Sequence, residues 1–162
     1  MKKGGHFEKD FKDSIEDYMF YYRFRDGTAN FGGASENVRF QQTNICDCMV
    51  YHKKLYLFEL KSHKGKSIPL TCIRDNQVDG LLNASRFDGI EAGLLLNFSD
   101  LDETYYMDIL KIRSYINTAE RKSFPVAWCR EEGIKVKQQK KIKHFRYDIA
   151  TLLIEINNKD LI

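Results

Sequence analysis

Little in this chain speaks for metal–thiolate chemistry, secretion or a membrane. It has four cysteines, at positions 46, 48, 72 and 129. None forms a C-x-x-C pair or a His/Cys grouping with zinc spacing, which argues against a zinc centre. There is no secretory signal and no apolar run of membrane length, so the expectation is a reduced, cytoplasmic protein with free, buried thiols. Neither repeats nor a linker divides the 162 residues, and residues 1–162 read as one domain. A large excess of one sign of charge is also lacking. A formal net charge of +3 and a pI near 8.6 say little by themselves about a nucleic-acid partner.

The chain does have the makings of a core. A hydrophobic fraction of 43% and an aromatic fraction of 13% suit a folded globule rather than a disordered chain. Its charge is also unevenly distributed. Between Ile134 and Tyr147 there are six cations (Lys135, Lys137, Lys140, Lys141, Lys143 and Arg146) and no acid. Such a run reads as a solvated loop, as a phosphate-contacting arm, or as both.

The stretch Cys46–Lys61 organises the rest. Two runs rich in aliphatic and aromatic residues, Ile45–Tyr51 and Leu55–Ser62, read as β-strands around a basic turn at His52-Lys53-Lys54. Alternation puts Leu55, Leu57, Glu59 and Lys61 on one face. Centring the turn on Lys53 pairs Tyr51 with Leu55 and so Asp47 with Glu59, whose β-carbons would lie only ~5 Å apart. Two carboxylates that close repel. They are compatible with a divalent cation between them and an anionic substrate against Lys61; the plainer alternative is an exposed strand pair with solvated charges.

Around this hairpin the pattern predicts a helix from about Phe7 to Arg23, with Phe7, Phe11, Ile15, Tyr18 and Tyr22 as its apolar stripe. Glu8 lies in its first turn, where it suits the helix dipole. Arg25–Gln42 is polar, glycine-rich and aperiodic, and reads as a long loop or an irregular hairpin. Lys64 and Lys66 follow the hairpin in a basic loop suited to phosphate contacts. A helix over Ile73–Ser85 turns the amide of Gln77 toward the sheet, where it needs partners. Ala92–Phe98 reads as a central strand covered on both faces, Thr104–Ile109 as another strand and Leu110–Glu120 as a helix. Ser123–Trp128 suggests a short turn or edge segment, with Trp128 in packing rather than base stacking. Ile134 and Val136 fit a short strand, and Asp148 fits the cap of a final helix whose inner face is Ile149, Leu152, Leu153 and Ile156.

Asp47 followed, after eleven residues, by Glu59-Leu60-Lys61 resembles the D-x(n)-E-x-K signature of restriction-endonuclease-like nucleases. Lys66-Ser67-Ile68-Pro69-Leu70, then Gln77, and further on Arg121-Lys122-Ser123-Phe124-Pro125, are similar to the RecU family of Holliday-junction resolvases. The resemblance implies an α/β fold with a mixed β-sheet flanked by helices, in the order α-β-β-α-β-β-α. It implies Mg²⁺, with Mn²⁺ as a substitute, held by Asp47, Glu59 and the Leu60 carbonyl. Lys61 would act on the nucleophile or the phosphate, with Gln77 and Glu8 positioning water or metal. DNA contacts would come from Arg25, Lys64, Lys66, Lys137, Lys140, Lys141 and Lys143. Arg25–Gln42 would stand where the family carries a junction-engaging stalk, here much shorter. The implied protein is a homodimer that cuts branched or junction DNA. The alternatives are a flap, nicking or repair nuclease of the same superfamily, or a non-catalytic DNA-binding protein.

Overall fold

The computed structural model describes residues 4–25 and 43–159, so the expected loop or stalk at 26–42 lies outside the described residues. Helix α1 (Gly4–Lys12) leads into strand β1 (Phe20–Arg23), and the hairpin follows as β2 (Cys48–His52) and β3 (Lys54–His63). Next come β4 (Ser67–Pro69), a 3-10 turn at Leu70–Cys72, α2 (Asp75–Ala84), β5 (Ile90–Phe98) and β6 (Glu103–Asp108). The chain continues through α3 (Ile109–Thr118), β7 (Ser123–Pro125), α4 (Val126–Glu132) and β8 (Ile134–Lys135). It closes with β9 (Gln138–Lys141), β10 (His144–Tyr147) and α5 (Ile149–Asn158).

Six strands form the main sheet in the order β1-β2-β3-β5-β6-β8. Only β3 and β5 run parallel; every other neighbouring pair is antiparallel. The expected mixed sheet flanked by helices is therefore present. Its two faces are covered differently. Leu57, Leu94, Leu96 and Met107 pack beneath α2, α3 and α4. On the other face Tyr56, Phe58, Leu60 and Leu95 meet Phe7 and Phe11 of α1 and Leu152 and Ile156 of α5. The continuous apolar run of β5 follows from this double cover, since every residue from Glu91 to Phe98 is buried. Asp148 caps α5 by accepting from the Thr151 N–H at 2.9 Å, an arrangement worth about 1 kcal/mol. Trp128 packs as expected, with its ring 4.2 Å from that of Tyr115 and stacked on Phe124 at 5.5 Å.

Three expectations are corrected. The first helix stops at Lys12 rather than Arg23: beyond it, Ser14 and Ile15 close tighter turns onto the Phe11 and Lys12 carbonyls. Residues 20–23 instead extend the sheet beside β2, with Phe20 opposite Tyr51 and Arg23 opposite Cys48. Tyr18 and Tyr22 are accordingly exposed and form no core stripe. The second correction concerns β2, which begins at Cys48 and not Ile45. The turn register is as expected, Tyr51 opposite Leu55, but the ladder ends at Cys48–Phe58. Asp47 then sends its N–H to the Phe58 carbonyl at 3.2 Å. Third, the basic segment is no loose loop. It folds into the β9–β10 hairpin, in register from Gln138–Tyr147 to Lys141–His144.

Candidate active site

The sheet fixes where the acidic pair lies. Glu59 sits in the central strand β3, flanked by buried neighbours, and its side chain is 0% exposed. It shares a strand face with Leu57 and so points toward α2. There Gln77 donates from Nε2 to Glu59 Oε1 at 2.7 Å, while Gln77 Oε1 accepts the Arg74 N–H at 3.1 Å and closes the first turn of α2. The buried amide expected from spacing thus has partners on both ends. Lys61, two residues along β3 and 23% exposed, forms an ion pair with the same Oε1. The second carboxylate oxygen, Oε2, is buried and has no hydrogen-bond partner.

Asp47 approaches by a different route from the one its spacing suggested. It does not face Glu59 across a regular ladder pair. Its Oδ2 accepts the Leu60 N–H at 2.8 Å, while its backbone bonds Phe58 on one side and Phe24 on the other. Cys46 and Cys48, on either side, consequently pack into opposite cores. The charges still interact: burial first, then the Asp47 charge, raises Glu59 to about 7, against the opposing pull of Lys61 and Gln77. Because a strand residue's N–H and C=O point toward the same neighbour, the Leu60 carbonyl faces the edge at which Asp47 sits.

This donor set fits a hard cation. Magnesium takes oxygen ligands, commonly one or two carboxylates, and keeps several waters. Asp47, Glu59 and a backbone carbonyl match that chemistry, and the bare Glu59 Oε2 is a buried acceptor in need of a partner. Among the described residues no group of three or more His, Cys, Asp or Glu side chains converges, and the candidate site offers two carboxylates beside a backbone carbonyl. All four cysteines are free, and burial pushes the Cys46 and Cys129 thiols up to about 12.

The remaining candidates are dispersed. Glu8 on α1 pairs with Arg23. Arg23 lies opposite Cys48, one residue from Asp47, which ties α1 to the start of β2. Arg25 is exposed, and its carbonyl accepts from Asn44 Nδ2 at 2.6 Å. Lys64 and Lys66 are exposed on the turn after β3. Of the basic hairpin residues, Lys137, Lys141 and Lys143 are exposed. Lys140 is exposed as well, pairs with Asp102 at 3.0 Å and lies 5.6 Å over the Phe145 ring. Sequence reasoning missed Asp10, a buried acid on α1 that accepts from the Phe145 N–H at 2.9 Å and contacts His144 Nδ1 at 2.7 Å. No local pattern signals it, because its partners are more than 130 positions away. A separate cleft of ≈ 520 Å³ lies there, between α1 and the hairpin, and includes neither Asp47 nor Glu59.

Fold and site together define a mixed α/β protein with a buried acid, a second carboxylate and a lysine gathered at one edge of its central strands. The family model described as Recombination protein U matches residues 28–147, and the chain belongs to this RecU family. It is 30% identical over 165 residues to the SPbeta prophage-derived uncharacterized protein YotM of Bacillus subtilis (strain 168), covering 92% of this chain and 83% of that protein. It is 34% identical over 100 residues to the Holliday junction resolvase RecU of Lactococcus lactis subsp. cremoris (strain SK11). That match covers 60% of this chain and only 46% of the lactococcal protein, so the chain spans about half of that relative's length. Among solved structures, the Holliday junction resolvase Hjc of Archaeoglobus fulgidus aligns with a TM-score of 0.46 and 14% identity, over 73% of this chain and 83% of that one. Among the described residues no helix is long and apolar enough to cross a membrane.

Proposed function

We propose that this chain is a Mg²⁺-dependent DNA endonuclease of restriction-endonuclease-like architecture, a Holliday-junction resolvase acting on branched DNA as a cytoplasmic homodimer. One observation carries the reading: Glu59 is fully buried with one oxygen bare, beside Asp47 and two residues before Lys61. Lys61 and Gln77 occupy one oxygen of that acid, and the bare Oε2 leaves it able to take a cation as well. Membership of the RecU family supports the choice of DNA as substrate.

Asp47, Glu59 and the Leu60 carbonyl hold the ion, and Mn²⁺ substitutes for it. When bound, Mg²⁺ supplies the Lewis acidity for phosphodiester hydrolysis. Gln77 fixes the Glu59 carboxylate by occupying Oε1 and leaving Oε2 free. The Lys61 ammonium, partly exposed, stabilises charge developing on the phosphate. Glu8 steadies the start of β2 through Arg23. Arg25, Lys64, Lys66, Lys137, Lys141 and Lys143 grip flanking phosphates, an electrostatic role independent of sequence. Cutting two symmetric strands calls for a twofold dimer.

The test compares cleavage of four-way, flap and linear duplex DNA in Mg²⁺. Preferential, paired cuts in the four-way substrate are expected. Equal cutting of all three would favour a general repair or nicking nuclease, and cutting of none would remove the nuclease reading.

A further inference from the structure

The β9–β10 hairpin ends in a two-residue turn, Ile142-Lys143, between the paired residues Lys141 and His144. Ile142 has φ = 55°, in the left-handed region, while Lys143 does not share that sign. A positive φ at the first central residue alone is the type II′ pattern, whose first position ordinarily takes glycine. A β-branched residue in that conformation is an outlier. This one is also 93% exposed. A single exposed apolar side chain is ordinary; one that also opposes its own backbone conformation calls for another reason to be there.

The strands that carry that tip are tied to the rest of the chain on both sides. On one side β10 is held to α1 and the turn after it: Asp10 accepts from the Phe145 N–H and contacts His144, and the hydroxyl of Ser14, two residues past α1, accepts from the Tyr147 N–H at 3.0 Å. On the other, Lys140 ties β9 to Asp102 in the turn between β5 and β6. That turn lies at the end of the sheet where β3 finishes, since Ser99 donates to the His63 carbonyl and Gly65 to Asp100. The hairpin therefore meets the sheet at the end where β3 finishes, packed with α1 on the face opposite the one that carries Glu59 and Lys61. Lys141 and Lys143 flank the tip, with Arg146 and Lys137 further toward the base of the hairpin; all four are exposed and make no ion pair among the described residues.

We infer that Ile142 is a wedge that enters a base step of the bound DNA, with Lys141 and Lys143 seated on the flanking phosphates. Apolar side chains used this way partly unstack a step and kink the duplex. The cost is lowest where stacking is already broken, as at a branch point, so the wedge favours branched over continuous DNA. The inference rests on the proposed DNA-nuclease function, whose substrate preference it deepens.

The test uses the full chain without divalent cation, so that DNA stays intact, and branched and linear DNA carrying 2-aminopurine beside the branch or at mid-duplex. Wild type should raise 2-aminopurine fluorescence on branched DNA. Ile142→Gly should abolish most of that rise and weaken branched-DNA binding by about tenfold, with little change on duplex. Ile142→Met should keep both signals. Because glycine suits the turn, Ile142→Gly should melt no lower than wild type, which separates loss of the wedge from loss of fold. Equal fluorescence and affinity for wild type and Ile142→Gly would overturn the wedge, including any reading in which the tip docks a protein only. The same proteins are then assayed for cutting in Mg²⁺. Cutting by wild type with an indifferent Ile142→Gly sinks the wedge alone, whereas a fluorescence response without any cutting sinks the nuclease reading alone.

Discussion

Gln77 donates to Glu59 Oε1 at 2.7 Å while Glu59 Oε2, equally buried, has no partner. One amide thus both orients the acid and leaves half of it available. If that is its role, Gln77→Ala should lower cleavage by about 10–100-fold, the usual effect of losing a group that orients a metal ligand. Cleavage should recover partly at raised Mg²⁺. A wild-type rate in a Mg²⁺ titration would reduce Gln77 to a cap of α2.

Asp47→Asn and Glu59→Gln should each abolish cleavage and leave DNA binding intact, since each removes a negative ligand at nearly constant shape. Without metal, Glu59→Gln should melt at or above the wild-type temperature, because a buried acid held up at about 7 becomes a neutral amide. Full cutting by either variant in Mg²⁺ contradicts the site assignment.

Lys61→Ala should lose cleavage, and Lys61→Arg should restore little, because a planar fork does not replace a compact ammonium. Lys61 also compensates Glu59 directly. Its loss should therefore cost about 2 kcal/mol of metal-free stability, and the cost should vanish in the Glu59→Gln background. Denaturant melts of the four proteins in this cycle measure the coupling; additive effects would mean the pair does not interact.

The acid limb of stability should report on Glu103. Hydrogen bonding from the Arg130 guanidinium, chiefly, holds its carboxyl down at about 2, and the Tyr105 hydroxyl also donates to it at 2.5 Å. A folded-state value below the ordinary one means that the unfolded chain binds the extra proton. The stabilisation is then complete above about pH 4.5 and lost as pH falls toward 2. Arg130→Ala should flatten that part of the stability–pH curve and leave neutral-pH cleavage unchanged. An unaltered slope between pH 5 and 2, measured by thermal melting, would count against it.

Gly80 on α2 links the core to the site. A Cβ there would lie 2.3 Å from Ile45 Cγ2 and 2.7 Å from Ile45 Cβ. Gly80→Ala should cost about 1–3 kcal/mol and disturb Asp47, two residues beyond Ile45, so cleavage should fall as well. Ile45→Ala should relieve only part of the clash, because its Cβ remains. A fully stable, fully active Gly80→Ala would show that this contact yields.

The strands and the side chains they carry were legible in the sequence wherever they depended on local pattern. Alternation placed Glu59 and Lys61 on one face of β3, the Tyr51–Leu55 register followed from the turn, and helical spacing turned Gln77 to the sheet. The run Ala92–Phe98 declared a doubly covered strand by being apolar throughout, and Asp148 declared its helix by capping chemistry. Tertiary structure decided what local pattern leaves degenerate. Phe20–Arg23 fits a helical stripe and a strand equally well, and pairing with the open edge of β2 selected the strand. Asp47 looked like a ladder residue until its carboxylate took the Leu60 N–H, a hydrogen bond across 13 positions. The basic segment is a hairpin held against the rest of the chain by Asp10, Ser14 and Asp102. Contacts between residues so far apart depend on how the whole sheet closes, and no short window of sequence contains that information.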